Sequence, residues 1–198
     1  MAVAAAALFG LIGCSQLASQ PSANYFPREN GYRWVYQNSF LTSGEVEITS
    51  ETETVVVNGT TLLPGGLTAI NFVSSSEWNG TSTDHYYVDG TGAYRYGTAA
   101  HPTTEAMQIL AFPLETGKMW VREGLGICEA VGVEEVVVPA GTFRAMKVMV
   151  GGSDFYEWYA DGVGLVKVQL SLLIATLEAG RFIPAEGFYV VQLTSKNF

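Results

Sequence analysis

The chain has 198 residues, of which 48% are hydrophobic and 15% are charged. This composition supplies enough apolar material for one core and differs from that of a disordered chain, so a single domain is expected. Lys and Arg number 10 against 19 for Asp and Glu, which gives a formal net charge of −9. The acidic balance argues against nucleic acid or anionic lipid as a partner, because both require basic patches.

The N-terminus has the features of a lipoprotein signal. Residues 2–13 are apolar or small, and this run is too short to span a bilayer but has the length of a signal-peptide core. The run ends in Leu11-Ile12-Gly13-Cys14, which resembles the lipobox of bacterial lipoproteins, where the cysteine is diacylated and becomes the mature N-terminus. We therefore predict a signal peptide over residues 1–13, lipidation of Cys14 and a flexible tether over residues 14–24. No Lys or Arg precedes the run, and a buried apolar helix with an incidental cysteine is the alternative.

Residues 25–198 are predicted to form one β-domain, and its first part carries a regular acidic pattern. Glu45, Glu47, Glu51 and Glu53 alternate with other residues at the period of two that a strand requires. We call these four residues the acidic ladder. The ladder is predicted to be a solvated face, because side chains two positions apart on a strand do not converge on one calcium ion.

Short Gly-containing pairs punctuate the chain and predict its turns. Asn-Gly at Asn58 and Asn79 and Asp-Gly at Asp89 and Asp161 favour tight hairpins, since Gly tolerates positive φ. Residues 102–107 are the one place where a short helix is expected in the domain. We find no amphipathic helix of twelve or more residues, so the domain is predicted to be an antiparallel sheet.

Three landmarks occur twice in the same order, with offsets that shrink along the chain. This arrangement predicts internal repeats over about residues 26–96 and 112–168, although chance similarity between β-rich segments is the alternative. Trp34 and Trp120 are expected to pack against their own halves, and the matched residues Arg95 and Lys167 are expected to point the same way. The paired landmarks are Phe26-Pro27-x-x-x-Gly31-x-x-Trp34 with Phe112-Pro113-x-x-x-Gly117-x-x-Trp120, Val55-Val56-Val57-Asn58-Gly59-Thr60 with Val136-Val137-Val138-Pro139-Ala140-Gly141-Thr142, and Tyr86-Tyr87-Val88-Asp89-Gly90-x-Gly92 with Trp158-Tyr159-Ala160-Asp161-Gly162-x-Gly164.

Groups that could carry out catalysis are few. His85 and His101 fall in a predicted strand and a predicted loop, without the spacing of a metal site. Asp84 and His85, with Ser74 nearby, have the composition of a triad, but adjacent strand residues point to opposite faces. Cys128 is expected to be a small buried hydrophobe. The sequence therefore predicts no catalytic residue, no metal site and no cofactor, and it leaves the ligand-binding residues unassigned.

Longer motifs resemble those of a group of uncharacterised bacterial lipoproteins and secreted proteins. The motifs are Tyr25-Phe26-Pro27-x-x-x-Gly31-x-x-Trp34-x-Tyr36, Val138-Pro139-Ala140-Gly141-Thr142-Phe143 and Trp158-Tyr159-Ala160-x-Gly162-Val163-Gly164-Leu165-Val166-Lys167. The resemblance covers nearly all of the mature chain, and Arg28 stands where that group commonly has an apolar residue. It implies a β-rich envelope domain and brings no catalytic residue to this sequence.

These observations predict an all-β fold, as an antiparallel curved sheet or half-open β-barrel built from two similar halves, with little helix apart from the signal segment. The expected function is that of a lipid-anchored, extracytoplasmic protein of the bacterial cell envelope with a non-enzymatic binding or structural role. Its expected partners are the membrane, through the anchor, and another envelope protein or an apolar ligand. The alternative is a carrier or chaperone of lipid or another apolar ligand in a barrel cavity, and a hydrolase ranks last. A continuous apolar cavity would favour the carrier, whereas a filled core with an exposed apolar patch would favour a protein partner.

Overall fold

The computed structural model describes residues 24–178 and 181–198, so the predicted signal peptide, Cys14 and all of the tether except Asn24 lie outside the described residues. Within these ranges the chain forms 12 antiparallel strands and no helix, which confirms the all-β prediction. Accordingly, the described residues contain no helix that could cross a membrane. The strands are β1 (Arg33–Thr42), β2 (Glu47–Leu62), β3 (Thr68–Ser76), β4 (Gly80–Val88), β5 (Gly92–Thr98), β6 (Pro102–Ala111), β7 (Met119–Arg122), β8 (Gly126–Val138), β9 (Gly141–Met149), β10 (Phe155–Ala160), β11 (Gly164–Glu178) and β12 (Arg181–Lys196).

All strands belong to one sheet, in the order β6-β5-β4-β3-β2-β1-β12-β11-β10-β9-β8-β7. The first six strands and the last six therefore form two meanders, which meet where β1 pairs with β12. The sheet curls into a nearly closed barrel, and its two outermost strands, β6 and β7, come to lie side by side. No strand pairing joins these two edges in the described part of the chain, and we call this gap the seam.

The short helix predicted over residues 102–107 is wrong, because these residues belong to β6. Arg95 of β5 pairs with Met107, and Ala93 pairs with Leu110, whose side chain is fully buried. A helix of six residues has little stability of its own, and the β-branched Thr103 and Thr104 favour an extended chain. Hydrogen bonding to β5 and burial of Leu110 therefore decide the conformation.

Three of the four predicted Gly-containing turns are confirmed. The pairs beginning at Asn79, Asp89 and Asp161 lie in the β3–β4, β4–β5 and β10–β11 turns. In the β4–β5 turn, the Asp89 carboxylate accepts the backbone N–H groups of Thr91 (2.8 Å) and Gly92 (3.1 Å) and the Thr91 hydroxyl (2.6 Å). These hydrogen bonds, those from Thr91 first, lower the pKa of Asp89.

The hairpin predicted at Asn58 is wrong. Asn58-Gly59 lies within β2, where the pairing with β3 shifts between Val57 and Thr60 as a β-bulge. Gly59 has φ 69°, and its N–H donates to the Asn30 side chain at 2.7 Å. The bulge is thus held by the segment before β1, and β2 continues beyond it instead of turning.

The two sequence repeats correspond in part to equivalent strands. The segments 26–96 and 112–168 contain β1–β5 and β7–β11, and Trp34 and Trp120 are each the second residue of the first strand. Both tryptophans are buried, but Trp34 belongs to a cluster made mainly of residues of β8–β12 and donates its indole N–H to the Val163 carbonyl, so the prediction that it packs against its own half is wrong. The middle landmark has no such equivalence, because it is the β2 bulge in the first half and the β8–β9 turn in the second. Duplication of the chain remains a prediction.

Buried apolar side chains form two clusters. The first joins β1 and β2 with β8–β12, and the β8–β9 turn closes it, since the Ala140 N–H donates to the Leu193 carbonyl at 3.0 Å. The second joins β5–β10 and contains Trp120 and Cys128. The space left between the walls of the curled sheet is the candidate site.

Candidate ligand-binding cavity

One face of the curled sheet encloses a cavity of about 390 Å³. Small-molecule sites are clefts or cavities of roughly 300 to 1,000 Å³ with mostly apolar walls and a few polar groups. This cavity fits that description. Its apolar lining is Phe26, Pro27, Trp34, Tyr36, Val55, Phe72, Tyr86, Met107, Ile109, Leu125, Tyr159, Leu165, Val168 and Val191, and its polar lining is Glu53, Ser74, Asp84, Arg95, Arg122 and Glu157.

The segment before β1 forms part of the cavity wall. The ring of Phe26 packs against Phe72 and Tyr86, with ring centres 5.3 and 5.1 Å apart. The Asn24 N–H donates to the Asp161 carboxylate at 2.6 Å, which fixes this segment on the β10–β11 turn. The end of the predicted tether is therefore attached to the body of the domain beside the cavity.

A buried ion pair between Arg122 and Glu157 lines the cavity. Arg122 Nη1 and Nη2 donate to the two Glu157 oxygens at 2.7 and 2.8 Å, and the side chains are only 4% and 10% exposed. Nη2 also donates to the Ile109 carbonyl at 2.8 Å. Because Arg122 is on β7 and Ile109 is on β6, the guanidinium bridges the seam that lacks strand pairing.

The surroundings keep Arg122 charged. Burial by itself lowers the pKa of Arg122, but hydrogen bonding and charge attraction from Glu157 outweigh it and raise that pKa above its ordinary value. Burial, with the charge of Glu157, raises the pKa of Tyr159, so its hydroxyl stays protonated and donates to Glu157 at 2.7 Å. Arg122 Nε is buried and has no hydrogen-bond partner among the described residues.

A second ion pair lines the cavity and belongs to the first meander. Arg95 Nε and Nη2 both contact Asp84 Oδ1, at 2.8 and 2.6 Å. Here the side chains are 35% and 22% exposed, so water reaches this part of the cavity. The phenol of Tyr86 lies beside the pair, and its pKa is raised by burial first and by Asp84 second.

The acidic ladder is divided between solvent and the interior, so its prediction as a solvated face is wrong for two of the four residues. Glu45 and Glu47 are exposed, but Glu51 is only 4% exposed and Glu53 lines the cavity. On this strand the apolar Ile48 faces water instead. The pairing with β1 shifts at Ile48, so Glu47 contacts Ser39 on one face of β2, whereas Glu51 and Glu53 lie on the opposite, concave face.

The two buried carboxylates of β2 converge on one amide of β1. Asn38 Nδ2 donates to Glu53 Oε2 at 3.0 Å and contacts Glu51 Oε1 at 3.4 Å. The other Glu51 oxygen accepts the Trp78 backbone N–H at 2.6 Å. Asn38 is 1% exposed, and its Oδ1 has no partner in the described ranges. We call Asn38, Glu51 and Glu53 the acidic cluster.

The residues considered for catalysis are not brought together in the described part of the chain. His85 is buried, and its Nδ1 lies 2.9 Å from the Asn71 side-chain oxygen, while Asp84 pairs with Arg95 on the cavity face. Cys128 is fully buried, and burial raises the pKa of its thiol. In the parts of the chain that the structure describes, no group of three or more His, Cys, Asp and Glu side chains is placed to hold a metal ion.

The prediction that Arg95 and Lys167 point the same way is wrong. In the β10–β11 pairing, Trp158 opposes Lys167 and Tyr159 opposes Leu165, so Val166 is an extra residue. One inserted residue reverses the direction of the side chains that follow it. Lys167 therefore lies 4.9 Å from the Trp158 ring, away from the cavity that Arg95 lines.

Sequence reasoning missed Arg122, Glu157 and Asn38. A usable signal existed, because Glu157 is the only charged residue within the aromatic run Phe155-Tyr156-Glu157-Trp158-Tyr159, and Arg122 ends the run Met119-Trp120-Val121. A lone charge in a strand of large apolar residues marks a buried, paired side chain. Its partner could not be identified, because Arg122 and Glu157 lie on strands that are not neighbours in the sheet.

No protein-family model and no curated protein matches the chain. Solved structures with a similar fold include a candidate lipoprotein from Parabacteroides distasonis, with a TM-score of 0.50 and 14% identity over 90% of this chain and 100% of that one. They also include a candidate exported protein with a YmcC-like fold from Bacteroides fragilis, with a TM-score of 0.50 and 14% identity over 89% of this chain and 100% of that one. At this identity the likeness establishes the fold alone.

Proposed function

We propose that this protein is a lipid-anchored binding protein of the bacterial cell envelope that holds a small, mostly apolar ligand inside its curled sheet and performs no catalysis. The cavity of about 390 Å³, with aromatic and aliphatic walls, carries the proposal. A sheet that served only as a structural spacer would be expected to fill this space with its own side chains.

Two further observations support the proposed location. The apolar run ending at Cys14 has the form of a lipoprotein signal. The proteins of similar fold are described as a candidate lipoprotein and a candidate exported protein.

Blocking the cavity tests the binding proposal. Ser74 lines the cavity, while its neighbour Ser75 is exposed, so the two serines form a matched pair on β3. The uncharged dye N-phenyl-1-naphthylamine, which fluoresces in apolar surroundings, should bind the full chain carrying Cys14→Ser. Adding Ser74→Trp should fill the cavity and reduce dye affinity at least about tenfold, whereas adding Ser75→Trp should leave it unchanged.

Thermal melting of both variants controls for loss of fold. Equal dye affinity in the two tryptophan variants, or no dye binding at all, would overturn the cavity proposal. In that case the exposed Val121 and Ile127, which pair on β7 and β8, would make a protein partner the stronger hypothesis. Mass spectrometry of lipids extracted from the natively purified protein would then be expected to find no bound apolar molecule.

The anchor has a separate test. Replacing Cys14 by Ser removes the only acceptor for the proposed lipid, so the protein should be released from the membrane or remain unprocessed. Fractionation of cells and mass spectrometry of the N-terminus measure both effects. The same membrane retention and the same N-terminus in the variant would contradict lipidation.

A further inference from the structure

The charges around the cavity do not balance. The structure describes two ion pairs, Arg95 with Asp84 and Arg122 with Glu157, and each guanidinium is already engaged by a carboxylate within 2.8 Å. Glu51 and Glu53 form no ion pair in the described part of the chain. The cavity region thus retains two negative charges without basic partners, and an anionic ligand would meet repulsion there.

One acceptor of the acidic cluster has no hydrogen-bond donor among the described residues. The two carboxylates both attract the Asn38 amide nitrogen, which turns the amide oxygen away from them and leaves Asn38 Oδ1 buried without a donor. A buried acceptor without a partner costs free energy unless a ligand or water supplies a donor. Of the acidic cluster, Glu53 lines the cavity and Asn38 and Glu51 do not, so Glu53 is the acceptor that a ligand group with several N–H bonds would meet.

Aromatic rings stand next to these carboxylates. Phe40 packs against Trp78 and Tyr189, with ring centres 5.5 and 5.1 Å apart, and the Trp78 backbone binds Glu51. Burial first, and the charges of Glu53 and Glu51 next, raise the pKa of Tyr189 to about 12. Aromatic faces attract cations, and a carboxylate near aromatic rings favours an ammonium group over a neutral one.

We infer that the ligand of this cavity is an apolar molecule with an ammonium group, and that Glu53 binds this group at the side of the cavity next to Asn38. The inference rests on the proposed binding function and adds the chemical class of the ligand. The apolar part of the ligand lies against Trp34, Phe72 and Val55, and the ammonium group supplies the basic partner that Glu53 lacks among the described residues.

Three compounds with the same eight-carbon tail separate charge from apolar binding. Octylamine, 1-octanol and octanoate should compete with N-phenyl-1-naphthylamine for the full chain carrying Cys14→Ser. Octylamine should bind about tenfold or more tightly than octanol, since hydrogen bonds to charged groups exceed neutral ones, and octanoate should bind most weakly. Glu53→Gln should remove the preference for octylamine over octanol, while the exposed Glu47→Gln should retain this preference.

The outcomes distinguish the inference from the function on which it rests. Equal competition by the three compounds, or a preference for octanoate, overturns the inference but leaves the cavity function in place. No competition by any compound overturns both. A rise in melting temperature with calcium chloride that Glu53→Gln abolishes, without any preference for octylamine, would replace the ammonium group by a metal ion. The order of affinities of the three compounds for the parent protein tests the inference even if Glu53→Gln fails to fold.

Discussion

The two meanders contribute one arginine–carboxylate pair each to the same cavity, yet the pairs differ in burial. Arg95 and Asp84 of the first meander are 35% and 22% exposed, whereas Arg122 and Glu157 of the second are 4% and 10% exposed. The exposed pair gains little free energy, because water screens it and each side chain can be solvated without the other. The buried pair stabilises the fold only when both partners are present, since either charge alone would be left in a dry interior.

The two landmark tryptophans differ in a similar way. Trp34 donates its indole N–H to the Val163 carbonyl at 2.8 Å and lies against Phe72, with ring centres 5.9 Å apart. Trp120 is equally buried, but its indole N–H has no partner among the described residues. Equivalent positions in the two segments therefore do not imply equivalent hydrogen bonding. Among the described residues, Trp120 is positioned by packing and not by a hydrogen bond of its indole.

The largest expected effect comes from removing one partner of the buried pair. Glu157→Gln leaves the Arg122 charge uncompensated, and we expect the free energy of unfolding in urea to fall by about 3 to 5 kcal/mol. Replacing both residues by Met should recover a large part of the loss, because no lone charge remains. Hydrogen exchange should also accelerate in β6 and β7 of the single variant, where Arg122 bridges the seam, more than in the paired strands β1 and β12. Unchanged stability in Glu157→Gln would show that the pair is solvated.

Truncation of either tryptophan should have effects of comparable size. Both side chains are buried, so Trp34→Ala and Trp120→Ala should each lower the free energy of unfolding by about 3 to 5 kcal/mol. Urea unfolding followed by circular dichroism measures both. A small loss of unfolding free energy for one variant would mean that its ring contributes little to the packing of the core.

Milder substitutions should separate the tryptophans. Trp34→Phe leaves the Val163 carbonyl without its donor, whereas Trp120→Phe removes an N–H that has no described partner. We expect Trp34→Phe to cost about 1 kcal/mol more than Trp120→Phe, which is the net contribution of one hydrogen bond. Equal costs would indicate that the Trp34 hydrogen bond adds nothing beyond packing.

The smallest effect is expected at the exposed pair. Asp84→Asn should change the free energy of unfolding by about 1 kcal/mol or less, because its charge interaction with Arg95 is screened by solvent. The difference should shrink further in concentrated salt. A loss as large as that of Glu157→Gln would contradict the distinction between the two pairs.

Local signals accounted for most of the fold. Strand alternation and the Gly-containing pairs at Asn79, Asp89 and Asp161 were enough to predict an antiparallel sheet with its hairpins, because these features act over a few residues. The errors at residues 102–107 and at Asn58 arose where partners outside the segment outweighed its local preference. In the first case β5 supplies the pairing, and in the second Asn30 holds the bulge.

The candidate site depended on longer distances. The sequence by itself determined that His85 and Asp84 point apart and that Cys128 is a hydrophobe, since each follows from strand geometry or residue chemistry. Only the tertiary structure decided that Glu51 and Glu53 face inward and that Arg122 reaches Glu157. Curling makes one face of a sheet concave, and which face that is depends on how the entire sheet closes, so alternation within a single strand cannot specify it.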